Sequence, residues 1–136
     1  MAGSNGRWVK VKVLTAQERA GIGAVCERFI AETLKPQFLP EVRQTSFNYP
    51  LDIFGKWRGS KYGFITRYRS GFPENAGEEF DDAFTRLDHL EECLTETRSD
   101  VLWRRHTGQW WRSRASAMLE EALRLIATEP MLQPKI

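Results

Sequence analysis

The sequence predicts an α+β fold: an antiparallel β-sheet built from hairpins, with an N-terminal and a C-terminal helix packed on it. Three observations carry this. Apolar residues recur at helical spacing near each end of the chain. Segments between them alternate in the manner of strands. Two Gly-containing pairs, Gly59-Ser60 and Thr107-Gly108, stand where alternating runs would reverse.

The elements follow in order. Arg7 to Leu14 alternates, with Val9, Val11 and Val13 on one side and Trp8, Lys10 and Lys12 on the other. This is the pattern of a half-buried strand with its valines inward. Thr15-Ala-Gln-Glu18 fits a capping box and opens a helix. The apolar stripe of that helix is Ile22, Val25, Cys26, Phe29, Ile30 and Leu34. Gly21 and Gly23 each cost it about 1 kcal/mol relative to alanine, unless they allow close contact with the sheet. Pro36 predicts a stop near Leu34.

Gln37 to Tyr49 reads as a polar connection, and Pro50 as the residue before the next strand. Leu51 to Arg69 predicts a hairpin around Gly59-Ser60, a Gly-first pair suited to a type II′ turn. That register sets Trp57 opposite Tyr62, Phe54 opposite Ile65, Leu51 opposite Tyr68 and Asp52 opposite Arg67. Ser70 to Gly77 is a loop by composition. Residues 78–94 are ambiguous: Phe80, Ala83, Phe84, Leu87, Leu90 and Leu94 form a helical stripe, so periodicity alone favours a helix over a strand. A second hairpin turns at Thr107-Gly108. The final helix carries Met118, Leu119, Ala122, Leu125 and Ile126 inward and closes at Pro130.

At 136 residues the chain predicts a single domain over 1–136, with 1–6 and 131–136 as flexible ends. Hydrophobic residues at 41% and charged residues at 28% place it among soluble globular proteins. No apolar run is long enough to cross a membrane as a helix, and no secretory signal is expected. Cys26 and Cys93 have neither CxxC nor metal-ligand spacing and read as buried free thiols in a cytoplasmic protein. Charge is unevenly spread. Glu74 to Glu96 holds nine acids against Arg86, whereas Lys56 to Arg69 holds five bases and no acid. Such a chain either neutralises itself on folding or leaves a basic sheet face open to an anionic partner.

The stretch Val101 to Arg114 is the best place to look for activity. It gathers three tryptophans, four arginines and His106 around Thr107-Gly108. A two-residue loop would pair His106 with Gln109, Arg105 with Trp110, Arg104 with Trp111 and Trp103 with Arg112. Trp103, Arg105, Trp110 and Arg112 would then form a checkerboard on one face, with Leu102, Arg104, His106, Gln109 and Trp111 on the other. Either the arginines cover the indoles and reach the acids of 74–96, or the four residues form a stacking platform for bases and phosphates. His106 is a candidate general base without an orienting carboxylate near it in sequence. His89 and Cys93 would share a face if 78–94 were helical, but two ligands do not make a zinc site. Glycine patterns for phosphate or dinucleotide loops are absent, so no cofactor and no metal is expected.

Three segments together resemble a group of small uncharacterised bacterial proteins defined only as a domain of unknown function. They are Trp57 to Phe64 with Thr66 to Arg69; Phe84 to Asp88; and Val101 to Trp110, with its Arg-His-Thr-Gly-Gln-Trp run, leading to Leu119 to Leu123. The resemblance implies a bacterial cytosolic domain and a strand for Phe84 to Leu90. It supplies no activity. Similar sequences carry a serine where Met118 stands, which suggests that this helix starts earlier, near Ser113 or Ser116. The expected function is non-enzymatic binding of an unknown ligand, with Trp103, Arg105, His106, Trp110 and Arg112 as binding candidates. Alternatives are nucleic-acid or anion binding through the Trp/Arg face, a small enzyme using His106, and a homodimer formed through the tryptophan-rich surface. No membrane partner is expected.

Overall fold

The computed structural model describes residues 10–136. Five strands form one antiparallel sheet in the order β1 (Asn48–Arg58), β2 (Lys61–Ser70), β3 (Glu79–His89), β4 (Ser99–Arg104) and β5 (Trp110–Ala117). An N-terminal helix, α1 (Ala16–Phe29), and a C-terminal helix, α3 (Leu119–Thr128), lie on one face, so the fold is α+β. The core joins Cys26, Ile30 and Leu34 from the N-terminal helical segment, Ile53, Phe64, Leu87 and Val101 from the strands, and Ala122 and Ile126 from α3.

The start of the chain differs from expectation. Arg7, Trp8 and Val9 lie outside the described residues, and Lys10 to Leu14 form no strand. Val11 and Val13 are exposed rather than inward, and Leu14 is the buried residue. This segment is tied down by a backbone bond from Lys12 N–H to the Glu91 carbonyl and by the His89 imidazole, which donates from Nε2 to the Lys12 carbonyl (2.7 Å). The capping box forms as expected. The Glu18 N–H donates to the Thr15 hydroxyl, and the Thr15 N–H donates to the Glu18 carboxylate, each at 3.0 Å. The hydrogen bond from the Thr15 backbone, with the nearby Lys12 cation, holds the Glu18 carboxyl below its usual range. Val25 leaves the predicted stripe and is exposed.

Pro36 does not stop the helix. α1 continues through a π turn (Ile30–Leu34) into a last turn, α2 (Lys35–Phe38). The Lys35 N–H reaches back to the Ile30 carbonyl, so the widened turn accommodates a ring and a missing N–H that a tight helix would reject. Trp57 clasps α1 to the sheet: its indole N–H donates to the Arg19 carbonyl (3.1 Å) beside Gly23, where an added Cβ would stand 3.3 Å from the indole nitrogen.

The first hairpin keeps the predicted register, with Trp57 opposite Tyr62, Phe54 opposite Ile65 and Asp52 opposite Arg67. Gly59 has φ +61 at its turn. The strand starts earlier than predicted, at Asn48, and runs through Pro50; an edge strand tolerates the missing donor. A bulge at Leu51 then sets Pro50, not Leu51, opposite Tyr68. Residues 79–89 are strand, which corrects the helix favoured by periodicity and agrees with the resemblance. The physical reason is a bulge at Phe84. It breaks the alternation and leaves the adjacent Phe84 and Thr85 both buried. His89 therefore ends a strand, Cys93 follows it in a turn where it is half-buried rather than buried, and the helical pair of ligands does not exist.

The last helix starts at Leu119, not near Ser113 or Ser116. The backbone up to Ala117 is committed to β5, and Ser116 sits at φ +53, held by its N–H to Asp100 (3.0 Å) and its carbonyl to Arg98 (2.7 Å). Met118 occupies the N-cap position without a side-chain cap and is exposed. The end of the chain, expected to fray, is tied down. Leu132 is fully buried, its carbonyl accepts from the Thr85 hydroxyl (2.7 Å), and the Lys135 carbonyl accepts from the Tyr68 hydroxyl (3.2 Å).

Candidate functional site

The uneven charges meet across the sheet. Arg67 pairs with Asp81 (2.9 Å) and Arg69 with Glu79 (2.8 Å), joining the basic stretch on β2 to the acidic stretch on β3. Arg86 pairs with Asp88 along β3 (2.6 Å), and Arg104 reaches from β4 to Asp82 (2.8 Å). The bipolar sequence largely neutralises itself in this region.

The second hairpin reverses one residue away from the predicted turn. The Gly108 N–H donates to the Arg105 carbonyl and the Arg105 N–H to the Gln109 carbonyl, each at 2.8 Å. The loop is therefore three residues, His106-Thr107-Gly108, with Gly108 at φ +87. This corrects the pairing. Trp103 lies opposite Trp111, Arg104 opposite Trp110 and Leu102 opposite Arg112. Residues directly opposed share a face, so the checkerboard of Trp103, Arg105, Trp110 and Arg112 does not form.

Each candidate has a distinct place. Trp103 packs against the core. Trp110 lies under the Arg86 guanidinium, 4.6 Å from the ring centre. Arg112 is exposed, 3.6 Å from Asp100. Arg105 stacks over Trp111 at 4.4 Å, and its backbone closes the loop that presents His106. Of the five, Arg105 and His106 share a concave site. It is a cleft of about 330 Å³ lined also by Asp82, Ala83, Phe84, Arg104 and Lys135.

The fold brings these residues together in stages. The bulge at Phe84 turns β3 beside the end of β4, and the Arg104–Asp82 pair fixes one wall. The Tyr68–Lys135 bond draws the C-terminal segment across to supply the other. Sequence reasoning missed Asp82, Arg104 and Lys135 as members of the site. Arg104 was named in the hairpin and Asp82 fell among the acids of 74–96 that the hairpin arginines could reach, but nothing paired the two, and Lys135 carried no signal. The cleft holds three cations, Arg104, Arg105 and Lys135, against one carboxylate, Asp82. Asp82 accepts from Arg104 through Oδ1 (2.8 Å). The arrangement is equipped to hold an anion, with Arg105 and Lys135 as donors and His106 at the rim.

A helix-backed antiparallel sheet with a basic cleft at one hairpin tip defines a small α+β domain. The chain belongs to the family described as domain of unknown function DUF3024, which matches residues 13–132. No curated protein and no solved structure matches the chain. Among the described residues no helix is long and apolar enough to cross a membrane.

Proposed function

We propose that this chain is a non-catalytic binding module that holds a phosphate group in the cleft at the β4–β5 tip. The observation that carries this reading is the convergence of Arg104, Arg105, His106 and Lys135 on one concavity with Asp82 as the single acid. A phosphate oxyanion matches guanidinium donors in number and geometry. Trp111, stacked under Arg105, reports on the site and gives a base or other ring an adjacent aromatic surface. The wider Trp/Arg platform for nucleic acid loses support, because Trp103 is in the core and Trp110 is already covered by Arg86. The two free thiols, Cys26 and Cys93, support a cytoplasmic home, and the contiguous core supports one domain.

The test is titration with pyrophosphate and, separately, with a single-stranded oligonucleotide, followed by tryptophan fluorescence. Binding should weaken steadily between about 50 and about 200 mM salt. Arg105→Ala should weaken it about tenfold, the loss of one charge-assisted hydrogen bond. Absence of any salt-sensitive signal with both probes overturns the proposal.

A further inference from the structure

The cations of the phosphate cleft are held in different ways. Arg104 ends β4 and is bonded to Asp82 (2.8 Å). Arg105 follows it, its backbone closed onto Gln109 and its guanidinium stacked over Trp111 at 4.4 Å. The sheet fixes both. Lys135 belongs to no helix or strand, and among the described residues it makes no ion pair. A lysine ammonium on its flexible stem reaches only where its backbone is anchored. Two sheet hydroxyls anchor this stretch. Thr85 donates to the Leu132 carbonyl (2.7 Å), and Leu132 is fully buried, so that end belongs to the core. Tyr68 donates to the carbonyl of Lys135 itself (3.2 Å), at an exposed position. The Tyr68 ring is braced for this. It lies opposite Phe80 in the β2–β3 ladder and stacks on it, with ring centres 5.3 Å apart and planes 16° apart. Burial, and then the Asp82 carboxylate of the cleft wall, hold the Tyr68 phenol above the usual tyrosine range, so the hydroxyl stays a donor. Tyr68 does not itself line the cleft.

We propose that Tyr68 is the positioning residue of this site: its hydroxyl, by holding the Lys135 carbonyl, delivers the Lys135 ammonium to the bound phosphate, and phosphate binding and docking of the C-terminal segment are one linked equilibrium. The inference rests on the phosphate reading and adds the regulation of that site. The docked segment completes the cleft with a wall and a cation. A ligand that binds the completed cleft draws the segment in by the same factor as docking strengthens the ligand. Undocking leaves Arg104 and Arg105 on the sheet and takes Lys135 away, which weakens phosphate without unfolding β1 to β5.

Pyrophosphate titration of the full chain, read by tryptophan fluorescence, tests it in the wild type, Tyr68→Phe, Lys135→Met and the double variant. Tyr68→Phe keeps the ring and its stack on Phe80, so it should unfold close to the wild-type temperature. It should weaken pyrophosphate about threefold, the effect of one hydrogen bond. In the Lys135→Met background the same change should cost nothing further, because the ammonium it positions is gone. Tyr68→Phe removes no charge, yet the salt dependence of binding should fall towards that of Lys135→Met. Lys135→Arg, which restores a cation, should restore the dependence on Tyr68. Saturating pyrophosphate should slow hydrogen exchange at the Lys135 and Ile136 amides in the wild type, and less so in Tyr68→Phe. Equal affinity in wild type and Tyr68→Phe, or an equal loss with and without Lys135→Met, overturns this inference and leaves the phosphate site standing on the response to Arg105→Ala. A wild-type chain silent to pyrophosphate also overturns it, and if the oligonucleotide is silent as well the phosphate reading falls with it.

Discussion

The Tyr62 hydroxyl is buried without a hydrogen-bond partner and lies over the backbone of Gly55, where an added Cβ would collide with the ring. The ring itself is well placed, edge-on to Trp57 at 5.2 Å and to Phe64 at 5.4 Å. An unanswered buried hydroxyl costs about 1–3 kcal/mol. Tyr62→Phe keeps the ring and removes the cost, so urea unfolding should show a variant more stable than the parent by about 1 kcal/mol. Nearby, burial pushes the Cys26 thiol up from 9.0 to about 12. Its folded value lies above its unfolded one, so its contribution is complete below pH 9.0 and is lost as pH rises through about 12. Stability should decline across that interval, and less steeply in Cys26→Ala. Burial also pushes the Tyr62 phenol up, so Tyr62→Phe should flatten the same decline further. The unanswered Tyr62 hydroxyl was not legible in the sequence. Cys26 was placed correctly by helical spacing, but the orphaned hydroxyl depends on the close approach of Gly55, which no local pattern encodes.

At the scale of elements, the two hairpins show why one register was legible and the other was not. In β1–β2, Trp57–Tyr62 and Phe54–Ile65 fall opposite each other only if the loop is Gly59-Ser60, so side-chain chemistry fixed the turn. In β4–β5, arginine and tryptophan alternate so regularly that a shift of one residue still yields plausible pairs. Gly108 serves a two-residue turn or the left-handed end of a three-residue one equally well. The structure chooses the latter, with φ +87. Gly108→Ala should therefore lower stability by about 1–2 kcal/mol, with Gly108→Asn intermediate, as read by thermal unfolding. Space is not the obstacle, since a Cβ there would stand 3.9 Å from the Arg104 guanidinium. β3 was misread by periodicity because its bulge places two consecutive residues inward, and an irregular strand of that kind imitates a helical stripe.

At the scale of the whole molecule, the fold class and the presence of a helix towards each end were legible because apolar residues recur there at helical spacing, whereas the end of the first helix and the start of the last were not. The site was legible in part. Composition singled out the hairpin at the candidate cleft, and of the five residues it named, Arg105 and His106 line that cleft. The remaining walls of the cleft come from β3 and the C-terminal segment, brought in by Tyr68–Lys135 and Thr85–Leu132, bonds between residues 67 and 47 positions apart. Separations of that size leave no mark on a local reading.

The strand order β1-β2-β3-β4-β5 has a kinetic consequence. Every ladder joins neighbours in the chain, so each can zip from its own short connection, and the entropy of closing long loops is largely avoided. The sheet can assemble hairpin by hairpin as the chain emerges from synthesis. What must wait is the closing layer: the chain beyond β5, whose Ile126 and Leu132 complete the interior. A nascent chain halted before Leu119 would carry a finished sheet whose apolar face is covered by the N-terminal helix alone, and the part left open would expose that truncated species to aggregation.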